Sequence, residues 1–368
     1  MTPERALARV DLGAIRRNAE TLRRAAGRAE LLAVVKAFGY GHGAVPVARA
    51  ALEGGATRLG VAAIEEAEEL REAGIGAPIV CWGPLMGHEW RRAAAAAADV
   101  AVWTPEACRA AADAGAVRVH LKLDSGMGRL GARPEDVSAL AEAAAEPRLD
   151  VAGIMTHFAT ADVTGGEDAG FFREQLARFR SMLGPLRQRF PEAIVHTANS
   201  AATLRDPSAA FDLVRCGIAL YGCSPFGRDP AEHGLEPALS LYSYIASIKP
   251  LWGSESVGYG RSWRAARGTL IGAVPIGYGD GYSRAYSNRA RVLVGGRSVP
   301  VVGTISMDQL TIDLGPEADE RVGDEVVLIG AQGGERVSAE ELAEIRGTIN
   351  YEVTCDIGRR VHRRHVDD

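Results

Sequence analysis

The chain has 368 residues, 47% of them hydrophobic, and a mean hydropathy near zero, enough for two folded domains with substantial cores. Its net charge of −5 gives no basic field for nucleic acid, and no apolar run approaches the ~20 residues of a membrane-crossing helix. The N-terminus lacks the basic-then-apolar pattern of a signal peptide, so a cytoplasmic location is expected. Cys81, Cys108, Cys216, Cys223 and Cys355 are odd in number and show no C-x-x-C spacing. They read as reduced thiols, neither a disulfide frame nor a zinc site, and no metal is expected.

In chain order, an opening helix is predicted over about 11–27. Short apolar strands then alternate with alanine-rich amphipathic helices. Strands are predicted at 31–37, 59–64, 78–83, 99–104, 117–124, 151–158, 195–200 and 213–221. Helices are predicted near 44–54, 65–73, 88–98, 105–114, 135–145 and 168–190, several opened by caps or early acids such as Thr104-Pro105-Glu106. Eight alternations over about 230 residues match a TIM-type (β/α)8 barrel. A doubly wound open sheet competes, but no G-x-G-x-x-G turn follows the first strand.

The texture changes at His233-Gly234-Leu235-Glu236-Pro237, which reads as a linker. Glycine-punctuated, alternating segments follow at 241–248, 269–275, 290–294, 298–302, 309–314 and 325–329, and then a short helix from Ser338 to about Arg346 with Ser338 and Glu341 at capping-box spacing. The expected fold is α/β, with a (β/α)8 barrel over 1–232 and a smaller, mainly β domain over 233–368. The basic cluster at 359–365 reads as a solvated tail or an interface.

Of the 42 basic residues, only Lys36, Lys122 and Lys249 are lysine. Arginine keeps its proton near neutral pH and forms no carbonyl adduct; lysine does both kinds of chemistry once its pKa falls. Lys36 ends the apolar run Leu31-Leu32-Ala33-Val34-Val35 and opens a glycine-rich turn containing Tyr40. That is a strand exit, where barrel enzymes place their chemistry. Lys122 leads into Asp124-Ser125-Gly126-Met127-Gly128-Arg129, whose arginine suits a carboxylate or phosphate. Lys249 lies in no motif and reads as an exposed or ion-paired strand residue.

Further motifs close the later strands. His157 follows the sixth, and Asn199-Ser200 follows the seventh. The eighth carries Arg215, a cation in an apolar strand that needs acceptors, then Gly217 and Ile218, whose backbone a ligand can approach. Loops after strands seven and eight build phosphate sites in such barrels. In the β domain, glycine-flanked Tyr259 and Tyr278, Ser306-Met307-Asp308 and Asn350-Tyr351-Glu352 together read as a binding surface.

In order and over nearly the whole chain, these segments resemble the alanine racemase family. Those carrying the resemblance are Val34-Val35-Lys36-Ala37 with Tyr40-Gly41-His42-Gly43, the Asp124 to Arg129 turn, Thr156-His157-Phe158, Asn199-Ser200, the run from Arg215 to Gly222, Gly258-Tyr259-Gly260, the run from Gly277 to Gly281, and Ser306-Met307-Asp308. The resemblance implies a homodimer with shared active sites that uses pyridoxal 5'-phosphate to interconvert L- and D-alanine, supplying D-alanine for peptidoglycan. Lys36 would hold the cofactor as an internal aldimine and act as one base, with Tyr259 of the partner subunit as the other. Arg215 would face the pyridine nitrogen, with His157 near the ring. Tyr40, Ser200, Gly217, Ile218 and Tyr351 would hold the phosphate. Arg129 and the partner's Met307 would meet the substrate carboxylate, Lys122 would orient Arg129 as a carbamate, and Tyr278 and Asp308 would line the access route.

Two positions depart from the pattern: Phe38, where the family usually has Asn or Asp, and Thr304, where many members have Arg. A racemase for serine or of broad specificity is the runner-up. A decarboxylase of the same architecture and a cofactor carrier built on the barrel alone fit less well. The first lacks matching segments at Arg215-Cys216-Gly217 and Ser306-Met307-Asp308, and the second does not explain the β domain.

Overall fold

The computed structural model describes residues 4–116 and 118–368. Residues 1–3 and residue 117, on which the predicted domain 1–232 and the predicted strand 117–124 begin, lie outside the described residues. The chain opens with a strand that the sequence reading did not anticipate, β1 (Leu7–Asp11), followed by a helix over Leu12–Ala25. Asp11 caps that helix, its carboxylate accepting from Ala14 N at 3.0 Å.

Eight parallel strands then close into a barrel: β2 (Glu30–Val34), β3 (Arg58–Val61), β4 (Ile79–Cys81), β5 (Ala98–Val102), β6 (Arg118–Lys122), β7 (Asp150–Met155), β8 (Ile194–His196) and β9 (Leu213–Cys216). Closure runs through β2 and β9, where Glu30 pairs with Leu213 and Leu32 with Arg215. Their side chains are almost wholly buried, as strands covered on both faces require. The alternation read in the sequence thus forms the expected (β/α)8 barrel.

The mainly β domain follows with β10 (Leu239–Tyr244), β11 (Ser247–Leu251), β12 (Ser256–Val257), β13 (Trp263–Arg264), β14 (Thr269–Val274), β15 (Arg291–Val294), β16 (Arg297–Pro300), β17 (Leu310–Gly315), β18 (Glu325–Gln332) and β19 (Glu335–Val337). Helices over Ala339–Arg346 and Asn350–Cys355 and a last strand, β20 (His362–Val366), complete it. Its larger sheet has the order β16-β15-β18-β10-β1-β20, and β11-β14-β17 form a second sheet. The single segment expected at 241–248 is therefore two strands in different sheets, broken at Ile245 and Ala246.

One further expectation changes. The cluster at 359–365 is no solvated tail: β20 pairs in parallel with β1, Arg363 opposite Ala8. The connecting segment after His233 lies along the opening helix, where Asn18 donates to Glu236 O at 2.8 Å and accepts from Glu236 N at 2.8 Å. Lys249 lies exposed on β11. All five cysteines are free thiols, and among the described residues no helix is long and apolar enough to cross a membrane.

Candidate active site

The strand exits of the barrel and the segment 348–355 of the β domain enclose a cavity of about 550 Å³. Lys36 enters it from the end of β2, where Ala37, Phe38, Gly39 and Tyr40 all adopt positive φ, between 50° and 58°. This left-handed turn costs non-glycine residues roughly 1–2 kcal/mol each, so something must hold it. Glu66 does: one carboxylate oxygen accepts from Ala37 N at 2.6 Å, and the other from Ala62 N and Ala63 N at 2.8 and 3.0 Å. From the other side, Arg363 on β20 donates to Gly41 O at 2.7 Å and stacks on the Phe38 ring. Burial, with Arg129 second, lowers the Lys36 pKa, while Glu66 and Cys355 oppose the shift.

Arg215, nearly fully buried on β9, donates to the carbonyls of His196 (2.8 Å), Thr156 (2.7 Å) and Thr197 (3.1 Å). It also donates to His196 Nδ1 at 3.1 Å and to His157 Nδ1 at 3.4 Å. These are the acceptors that a cation in an apolar strand requires. Both terminal nitrogens are thereby engaged, and among the described residues its Nε has no protein partner. Burial and then Arg215 push the His157 pKa down to about 3, so this imidazole is neutral.

In the cavity wall, Ser200 Oγ accepts from Gly217 N at 3.0 Å. A Cβ at position 217 would collide with the Tyr40 hydroxyl, so glycine lets that phenol lie against the backbone. Ile218 and Tyr351 complete this wall. Opposite, Arg129 rides on a turn that Asp124 organises by accepting from the N–H groups of Gly126, Met127 and Gly128. Asp124 therefore serves the turn, and among the described residues no ion pair joins it to Lys122. Lys122 is buried, and burial, Arg215 and Arg129 bring its pKa down to about 8.

Lys36, Tyr40, Lys122, Arg129, His157, Ser200, Arg215, Gly217, Ile218 and Tyr351 thus line one cavity. Tyr259, Tyr278, Met307 and Asp308 do not. They belong to a second cluster on the β domain, where Tyr278 N and Gly279 N donate to Ser306 O and Met307 O at 3.1 and 2.8 Å, and Gly258 packs on Thr304. Tyr259 is 72% exposed and Met307 52%. Sequence reading did not single out Trp82, Met155 or Cys355 as cavity residues. The first two lie at strand exits, the same signal that marked Lys36, and would have been found by applying it to every strand. Cys355 had no such signal; a nonlocal helix brings it there.

Fold and cavity define a class: a (β/α)8-barrel enzyme with a lysine of lowered pKa and several hydrogen-bond donors lining a cavity at the strand exits. The alanine racemase N-terminal domain model matches residues 10–225, and the C-terminal domain model residues 238–365. Alanine racemase of Symbiobacterium thermophilum is 44% identical, with 97% of this chain and 96% of that protein covered. The crystal structure of alanine racemase from Streptomyces lavendulae superposes with a TM-score of 0.94 at 40% identity, covering 100% of this chain and 98% of that one. That of the Bacillus anthracis enzyme with bound L-Ala-P gives 0.90 at 39% identity, covering 99% and 95%. The chain belongs to the alanine racemase family, and it is an isomerase of that family.

Proposed function

We propose that the protein interconverts L- and D-alanine by a two-base reaction on bound pyridoxal 5'-phosphate, with Lys36 and the partner subunit's Tyr259 as the bases. The observation that carries this reading is the convergence of the lowered-pKa Lys36 amine, the Arg215–His157 pair and the Tyr40–Ser200–Gly217 wall on one cavity. The donor set suits the cofactor. Hydroxyls and backbone N–H groups receive a phosphate, an amine meets an aldehyde, and the unpartnered Arg215 Nε suits a ring nitrogen. When bound, pyridoxal 5'-phosphate supplies the aldehyde and a ring that accepts the electron pair left at Cα.

The remaining work falls to the chain. Arg129, which lines the cavity, binds the substrate carboxylate. Lys36, whose pKa burial lowers, takes or returns the Cα proton on one face. A single base that reprotonates its own face restores the starting enantiomer, so the opposite face needs a second base. The exposed Tyr259, outside its own chain's cavity, suits delivery to a neighbour's. Arg215 keeps its proton; facing the cofactor's ring nitrogen, it would leave that nitrogen unprotonated, which would make the ring a weaker electron sink and disfavour transamination. The exposed Tyr278, Met307 and Ile349 supply apolar surface for such a homodimer. A cytoplasmic D-alanine supply for peptidoglycan is the proposed role.

An absorbance scan should show a cofactor band near about 420 nm that borohydride removes, and chiral chromatography should show racemisation of L-alanine in preference to L-serine and L-lysine. A colourless, cofactor-free but active protein would refute the proposal.

A further inference from the structure

Three buried titratable groups beneath Arg215 have no part in the mechanism above. Asp99 lies near the start of β5, His120 in the middle of β6 and His196 at the end of β8. Both histidines are fully buried, and the Asp99 side chain is 5% exposed. They form a line. Arg215 Nη1 meets His196 Nδ1 at 3.1 Å, His196 Nε2 meets His120 Nδ1 at 2.7 Å, and His120 Nε2 meets Asp99 Oδ2 at 3.3 Å. At the far end, Arg118 Nε donates to Asp99 Oδ1 at 3.1 Å and its Nη1 to the exposed Asp150 at 2.9 Å. A Cβ at Gly153 would collide with the His120 ring, so β7 leaves room for the line.

Only one proton arrangement satisfies every contact. Arginine has donors and no acceptor, so His196 must accept at Nδ1. Its proton then sits on Nε2 and is donated to His120 Nδ1. His120 in turn carries its proton on Nε2 and donates it to Asp99. A protonated His120 would donate from both nitrogens and force an N–H of His196 against the guanidinium. Burial, aided at His196 by Arg215, lowers the pKa of both imidazoles below the ordinary histidine value. Burial works against an ionised Asp99, but its contacts with His120 and Arg118 outweigh that and hold its pKa down. Barrel interiors are ordinarily filled by branched apolar side chains, and a buried polar line is costly unless every member is satisfied.

We propose that Asp99, His120 and His196 form an oriented hydrogen-bond relay that positions Arg215 from the opposite end of the barrel. The Asp99 carboxylate fixes both tautomers, so that His196 always presents a lone pair to the guanidinium. Asp99 touches neither substrate nor cofactor; it is a positioning residue. The functional consequence rests on the proposed reading of Arg215 as the group facing the cofactor nitrogen, whereas the relay itself does not.

Nitrogen-15 NMR of histidine-labelled protein, with and without cofactor, tests the relay directly. Both rings should be Nε2–H tautomers across neutral pH; an Nδ1–H tautomer or an imidazolium at either position overturns it. In the loaded enzyme, Asp99→Leu should lower kcat about tenfold, leave KM for alanine nearly unchanged and raise the ratio of transamination to racemisation. Asp99→Asn, which keeps an acceptor, should fall between. Variants that melt earlier but keep the wild-type ratio would make the line merely structural and refute the proposal. Loss of the cofactor reading would show instead as an absent absorbance band in the unmodified protein, with the tautomer result unaffected.

Discussion

Gly217→Ala places a methyl group where the Tyr40 hydroxyl lies. Overpacking of this kind typically costs about 1–3 kcal/mol, so cofactor affinity should weaken about tenfold or more. A spectrophotometric titration of cofactor-free protein checks this, and unchanged affinity would mean that Tyr40 is not part of the cradle. Lys122 carries a second prediction. With its pKa near about 8, much of the amine is neutral at mildly alkaline pH and open to carbon dioxide. The resulting carbamate would attract Arg129 where an ammonium repels it. Native mass spectrometry should find one carbon dioxide that is lost on acidification. A mass matching the bare chain would exclude the carbamate. Lys36 and Lys122 were conspicuous in the sequence because lysine is so scarce there. Asp99, His120 and Glu66 were not, because their significance lies in partners 21 to 76 residues away.

Every barrel strand predicted from the sequence runs past the observed one at its C-terminal end, as 213–221 does against Leu213–Cys216 and 31–37 against Glu30–Val34. Apolar runs ordinarily stop where a strand meets water. Here they continue, because the loops at the strand exits are covered by the β domain and line the cavity. The overshoot therefore coincides with the site. The opposite error concerns β1 and β20, short, charged strands whose pairing joins residues 355 positions apart; no local pattern announces them. The left-handed turn after Lys36 was equally hidden, since only one of its four positive-φ residues is glycine. Glu66→Gln should loosen it. The amide retains one acceptor but turns a donor toward an N–H, and lost bonds to a charged group typically cost about 1.5–3 kcal/mol. Thermal melting should fall and cofactor should dissociate faster; unchanged values for both would show that the turn holds itself.

Across the whole molecule, the buried His42, His120 and His196 and the half-buried His157 contribute to the response to acid. Burial lowers the pKa of His42 to about 4 and that of His157 to about 3, and it lowers those of His120 and His196 as well. Each folded value lies below the roughly 6.5 of an unfolded chain, so the unfolded state binds more protons on acidification. Their contribution is fully present above about pH 6.5 and is lost as the pH falls toward the folded values, by up to about 1.4 kcal/mol per pH unit for each histidine. The urea midpoint should drop steeply below about pH 6, and a flat profile would mean that these rings charge within the native state.

In the proposed dimer, Lys36 of one chain and Tyr259 of the other complete a single site. Lys36→Ala and Tyr259→Phe proteins, each inactive alone, should regain racemase activity when unfolded together and refolded, because half of the sites in a mixed dimer are intact. Mixed dimers demonstrated by mass yet inactive, or a Tyr259→Phe protein with full activity by itself, would contradict it.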